Sequence, residues 1–321
     1  MPPFSEMLPI AVGGENLIDH VTSEGTETAL PGGSPFNVAL ALGRQGANVR
    51  YVSPISTDRW GDRLAEMLSA SGVALTGGRI DRPTTMARVT IADGIPTYRF
   101  ERDGTAERAV SVASLAESVG DDTMVLHSGS LALTDGHDAE VWAQALTNAH
   151  QEGRFVSIDP NVRLSVISDF PAYRERLFRI FQKIHLLKLS DEDLDGLFPD
   201  TDENAAIEAL LGMTAARLVV LTRGREGASA WLRGDRLDIP APPVSELIDT
   251  VGAGDTFMAT LLASLANAGQ AATDHIETIE EREVQALLHR AATAAALNCA
   301  RAGCSPPAGD EIDAVLTKQG Q

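Results

Sequence analysis

Short apolar runs separated by helical patterns and turns are the feature that most constrains how this chain can fold. They extend from Leu8 to Val12, Val49 to Pro54, Thr123 to His127, Phe155 to Asp159, Ile184 to Leu189 and Leu218 to Thr222. Strands that alternate with helices build βαβ units, and the parallel sheet they form needs helices on both faces. The expected fold is α/β: a doubly wound, mainly parallel sheet flanked by helices. Ser34 followed by Pro35 has the chemistry of a helix cap and first position, and Val38, Ala39 and Leu42 recur at helical spacing until Gly46. The C-terminal third turns helical, over Ala253 to Ala268 and about Glu281 to Ala300. One stretch breaks the alternation. From about Thr84 to Arg102, ARVTIADGIPTYRFER reads as two β segments around an Asp93-Gly94 turn, a small β excursion from the main sheet. With 321 residues and no repeat or linker, the chain is read as one domain over 1–321.

A formal charge of −19 opposes binding to nucleic acid, which requires concentrated Lys and Arg. A small polyanion such as ATP remains compatible, because backbone N–H groups and a few local cations can hold it. No apolar run reaches the roughly 18 residues of a membrane helix. The start, MPPFSEMLPI, lacks both a basic opening and a long apolar stretch, so the mature chain is expected to begin near Met1 and to be cytoplasmic. Cys299 and Cys304 are spaced too simply for a zinc site and are read as reduced thiols.

Chemistry concentrates in DTVGAGDTFMATLLASLA, from Asp249 onward, where a Gly-Ala-Gly turn leads into a strong apolar helix. A helix start exposes unpaired N–H groups and the positive end of the dipole, and glycines let a ligand approach them. Gly252, Ala253 and Gly254 thus form a candidate anion hole, with Asp255 beside it as a candidate base for phosphoryl transfer to an alcohol. On these residues alone, a tight loop with an acid at a helix start reads equally well.

The longer string DTVGAGDTF closely resembles the C-terminal signature of the ribokinase-like (PfkB) sugar kinases. In that family the acid at the place of Asp255 removes the proton from a sugar hydroxyl, and the preceding N–H groups stabilise the transferring phosphoryl charge. PGGSPFNVALALGRQG resembles the family's other signature, which implies sugar contacts from Gly32, Gly33 and Asn37. GENLID ends in Asp19, where relatives carry an acid that accepts hydrogen bonds from sugar hydroxyls. The β excursion, about 84–106, matches the family's lid over the sugar, to which 16–31 are a candidate addition. Arg88 and Arg99 fit either a pocket or a solvated strand face, and Arg99 is carried as a substrate residue. LTRGREGA resembles the nucleotide-contacting turn, which assigns Thr222, Gly224 and Gly227 to the nucleotide, with Lys188 and Asn298 beside them. In KLSDED, relatives use an Asn or Ser followed three positions later by Glu to organise magnesium and its waters; here Glu192 and Asp193 are the candidates.

The resemblance covers about Leu8 to Pro307 and implies ATP and Mg2+, with a monovalent cation such as K+ as a further candidate. Within the family, GENLID, KLSDED and DPNVR, the last carrying Asn161 and Arg163, are similar to strings of bacterial fructokinases, so the expected reaction is phosphorylation of fructose at its 6-hydroxyl. Two features depart from them: no Pro follows DPNVR, and the lid reads YRFERDGTAER. A 2-keto-3-deoxygluconate kinase or a ribokinase would use the same base with a different pocket, and a silent sugar-binding protein would keep the fold without needing Asp255. A dinucleotide-dependent oxidoreductase is disfavoured, since the first strand is followed by GGEN and no GxGxxG turn. Expected partners are a small sugar and ATP, with a homodimer as an option and neither nucleic acid nor membrane.

Overall fold

The computed structural model describes residues 9–319 apart from 24–25, 93–94, 245, 269–275 and 277, so Leu8 and the Asp93-Gly94 turn lie outside the described residues. Each apolar run becomes a strand of one nine-stranded sheet. Phe155–Asp159 and Leu218–Thr222 form with the expected bounds. The others settle as Ile10–Val12, Val49–Tyr51, Val125–Gly129 and Leu186–Ser190.

Across the sheet the order is Ala74–Leu75, Val49–Tyr51, Ile10–Val12, Val125–Gly129, Phe155–Asp159, Leu186–Ser190, Leu218–Thr222, Ala228–Leu232 and Asp235–Ile239. Neighbours pair in parallel as far as Leu218–Thr222, and the last two strands are added antiparallel. Continuous apolar runs follow from burial on both faces. In Leu218–Thr222, Leu218 and Val220 enter a core shared with Phe36, Phe257 and Leu288, whereas Val219 and Leu221 enter the opposite core with Trp142, Tyr173 and Leu194. Helices Ser34–Arg44, Ala253–Asn267 and Glu281–Cys299 cover the first face, and Gly136–Gln151 and Phe170–Phe181 cover the second.

After Ile10–Val12 the main sheet grows on one side through Val49–Tyr51, and it then resumes on the other side at Val125–Gly129. Such a reversal opens a crevice at the carboxyl ends of the strands, where ligands of doubly wound folds bind. Glu15, Ser130, Asn161 and Ser190 follow or end strands there. The first helix begins one residue earlier than expected: Gly33, at φ 109°, is the flanking residue, and Ser34 is the first helical one. The Ser34 hydroxyl does not cap its own helix because it donates to Asp255 instead.

A second sheet holds four strands in the order Thr26–Gly32, Leu17–Ser23, Thr85–Ala92 and Ile95–Glu101. The excursion thus forms the two β segments expected of it, Thr85–Ala92 and Ile95–Glu101. Its roots are tied down at both ends. Asp58, which caps the helix Arg59–Ala70, also accepts from the N–H and hydroxyl of Thr84 at 2.8 and 2.7 Å. Beyond the last strand, buried Arg102 pairs with buried Glu107 at 3.2 Å and donates to the Leu131 carbonyl at 3.0 Å. Among the described residues no helix is long and apolar enough to cross a membrane.

Candidate active site

The helix Ala253–Asn267 starts from Gly252, whose φ of 75° is left-handed. A Cβ at Gly252 would come within 2.4 Å of the Cys304 sulfur, so conformation and space both call for glycine. The Ala253 N–H turns back to the Thr250 carbonyl at 3.2 Å, which leaves the opening of the hole to the N–H groups on either side of it. Asp255 lies in the first turn and is half-buried. Ser34 donates its hydroxyl to Oδ1 at 2.6 Å, and Asn37 donates its amide to Oδ2 at 2.8 Å. Desolvation raises the Asp255 carboxyl above its ordinary value, opposed by these two donors; Asp159 adds to the rise and Lys188 opposes it. A carboxylate held at both oxygens beside a helix start is oriented to take a proton from an alcohol while the N–H groups receive an anion.

Asn37 is buried, and its Oδ1 has no hydrogen-bond partner among the described residues. One end of the amide thus holds Asp255 while the other offers a free acceptor. Asp19 lies behind Gly32, where a Cβ would approach its Oδ2 to 2.4 Å. Burial raises the Asp19 carboxyl to about 6, opposed by the charge of the exposed Arg163. Asn161, at φ 40°, takes a sharp turn after the Phe155–Asp159 strand and donates its amide to Ser130 Oγ at 3.3 Å. Arg99 is exposed on its strand, opposite Arg88 in register, and Arg88 is engaged by Glu101 at 2.8 Å. The solvated-strand reading of both arginines is the one their surroundings support.

Lys188 is buried on its strand and binds Asp159 Oδ2 at 2.7 Å. Thr222 faces Ser190 across the strand pair, next to the positive-φ turn of Gly224 and Gly227. Two of the expected ligand residues are also engaged by backbone groups. Asn298 is fully buried, with its amide donating to the Val251 carbonyl and its oxygen accepting from the Ser305 N–H, so it fastens the wall beside Gly252. Asp193 accepts from the N–H groups of Val162 and Ser190 at 2.5 and 2.8 Å, as part of a capping box, while Glu192 faces solvent. Each Asp193 oxygen takes one backbone N–H, because the residue closes the start of Asp191–Leu197 against the Asn161 turn. Among the described residues no group of three or more His, Cys, Asp or Glu is placed to hold a metal ion.

The structure therefore brings Asp19, Gly32, Gly33, Asn37, Asn161, Lys188, Gly254 and Asp255 around one crevice. It adds residues that sequence reasoning passed over. In the sequence Ser34 reads only as a helix cap, and Asp159 opens DPNVR without a role in the site. Glu15 is buried with Oε1 accepting from the Ser34 N–H at 2.9 Å, and its Oε2 has no partner among the described residues. Burial raises its carboxyl to about 7 despite hydrogen bonds from Ser130 and Ser34 and the charge of Arg102. Its position in GENLID was the only signal available.

Residues 15–310 match the family described as pfkB family carbohydrate kinase. A fructokinase of Rhizobium leguminosarum bv. trifolii is 40% identical over 260 residues, covering 78% of each chain. The probable fructokinase-4 of Arabidopsis thaliana is 28% identical over 318 residues, covering 94% of this chain and 95% of that protein. The structure of fructokinase with bound ATP from Xylella fastidiosa superposes with a TM-score of 0.87 at 27% identity, over 98% of this chain and 99% of that one.

Proposed function

The chain belongs to the pfkB family of carbohydrate kinases, and we propose that it is a fructokinase that moves the γ-phosphoryl group of ATP to the 6-hydroxyl of fructose. The observation that carries the chemistry is the double clamp on Asp255, whose two oxygens are held by donors from the sugar-side helix, Ser34 and Asn37. Fructose as the acceptor rests on relatives named as fructokinases at 40% and 28% identity, and ATP as the donor on the Xylella fructokinase with its bound nucleotide.

In this reading the sugar lies between Asp19, Asn37 and Arg163. Asn37 Oδ1, which is buried and unpartnered, accepts a hydrogen bond from a sugar hydroxyl, while its amide keeps Asp255 aimed. The 6-hydroxyl oxygen attacks the γ-phosphorus as its proton passes to Asp255; the bond from that phosphorus to the bridging oxygen breaks, and ADP leaves. The N–H groups of Gly252 and Gly254 meet the charge on the transferring group. The turn at Thr222, Gly224 and Gly227 lines the nucleotide side. Glu192 and Asp193, at the end of the Leu186–Ser190 strand, are the acids that would organise a magnesium ion and its waters, which would neutralise part of the phosphate charge.

ADP release should be measured with Mg-ATP and fructose, ribose, glucose, tagatose, 2-keto-3-deoxygluconate or nucleosides. A clear preference for fructose is expected. Preference for another sugar would overturn the substrate and the roles of Arg163 and Asp19, and no turnover with any of them would overturn the kinase reading of Asp255.

A further inference from the structure

The Asp159–Lys188 pair is a buried charge that the binding of sugar and nucleotide does not explain. Both side chains are almost wholly enclosed, Asp159 2% and Lys188 5% exposed, and Nζ meets Oδ2 at 2.7 Å. A buried ion pair seldom adds stability over apolar residues of the same size, so its retention calls for another reason. Its position supplies one. A Cβ added to Gly254 would come within 3.0 Å of Lys188 Nζ, so the ammonium lies directly behind the helix start, and the lack of a side chain at Gly254 keeps that approach open.

From this geometry we propose that the Asp159–Lys188 pair positions charge for phosphoryl transfer, with Asp159 fixing the ammonium and Lys188 acting on Asp255 and on the anion hole from behind Gly254. The groups around Asp255 come from several elements. Ser34 and Asn37 reach it from Ser34–Arg44, Lys188 and Asp159 act from two neighbouring strands, and Cys304 packs against Gly252 with its thiol kept neutral by burial. Lys188 is therefore the cation of this set. Burial works against its ammonium, and Asp159, Asp193 and Asp255 together outweigh that effect and keep it charged. Near Asp255 the two members of the pair act in opposite senses: Lys188 favours the ionised carboxylate and Asp159 disfavours it. No direct contact with the sugar is needed, so Lys188 is a positioning residue.

The inference rests on Asp255 being the base, and the test separates the two. The pH dependence of kcat/KM is compared for the parent enzyme and for Lys188→Met, Asp159→Asn, the double variant, and Asp255→Asn as a control. Lys188→Met is expected to move the acid limb to higher pH by about one unit and to lower kcat by about tenfold or more, with a smaller change in the KM for ATP. Asp159→Asn is expected to move the limb the other way. Should Lys188→Met fail to fold with Asp159 left unpaired, the double variant removes both charges together and is expected to fold with kcat about tenfold down. Limbs that stay in place or move in the same direction, or a double variant with normal turnover, would overturn the inference. Near-normal turnover in Asp255→Asn would instead sink the base on which it rests.

Discussion

Two ion pairs of similar length do different work in this protein. Lys188 and Asp159, 2.7 Å apart, are enclosed at the floor of the crevice; Arg88 and Glu101, 2.8 Å apart, lie in water on the four-stranded sheet with 46% and 39% of their side chains exposed. Water screens the second pair and weakens it. The first has lost its hydration and is held by the partners that surround it, so each of its charges acts on Asp255 with much less screening than a surface charge would. Charges that must act on a reaction sit in the enclosed floor, built on strand ends held by two cores. The four-stranded sheet carries charges that can be exchanged freely, and its rigidity comes from its roots at Asp58 and Arg102.

The sharpest attempt to break this contrast is Asp255→Asn, which keeps shape and removes the base. Turnover should fall by roughly 10²–10⁴-fold while the midpoint of thermal unfolding stays close to the parent's. Comparable turnover would mean that the floor is not where the chemistry happens. Next in size is Gly252→Ala. The new methyl would meet the Cys304 sulfur and impose a left-handed conformation on alanine, so kcat should fall on the order of 10²-fold as the N–H groups leave register. Adding Cys304→Ala should recover part of the loss by removing the collision but not the backbone strain. Full recovery would show that only space is at stake at that position.

What the sequence could reveal follows the same division. The strands Phe155–Asp159 and Leu218–Thr222 are legible to the residue because burial on two faces demands unbroken apolar runs. The placement of Asp255 and its glycines at a helix start is legible because those residues are consecutive in the chain. Lys188 meeting Asp159 is not legible, since the two are 29 positions apart and only pairing of neighbouring strands unites them. Ser34 was misread as a cap for a related reason: local chemistry favours capping, but Asp255, 221 positions away, takes the hydroxyl. The backbone contacts of Asn298 and Asp193 were equally hidden, because the groups that engage them come from turns distant in sequence.

A smaller effect probes the seam between floor and sheet. Glu15 lies between the first strand and the second sheet, with its carboxyl raised from the ordinary 4.5 to about 7 by burial. Between those values the folded protein holds a proton that the unfolded chain releases, so stability falls as pH rises through that window. The loss amounts to about 3 kcal/mol above the window. Glu15→Gln should remove this slope and make the variant more stable than the parent at pH 8, with no such gain at pH 4. Urea midpoints measured from pH 4 to 8 provide the test. An unchanged slope would mean that Glu15 is ionised and compensated in the folded state.

The smallest effect is expected on the four-stranded sheet. Arg88→Gln removes one member of an exposed pair, and Glu101 is left facing water that already solvates it. The urea midpoint and the KM for the sugar should both remain indistinguishable from the parent's, in low salt as in high, because little was gained from that pair in either condition. The informative failure is a raised KM with an unchanged midpoint. That result would mean that the sheet closes over the sugar with Arg88 among its contacts, and that a charge on the exchangeable surface becomes part of the enclosed floor once substrate is bound.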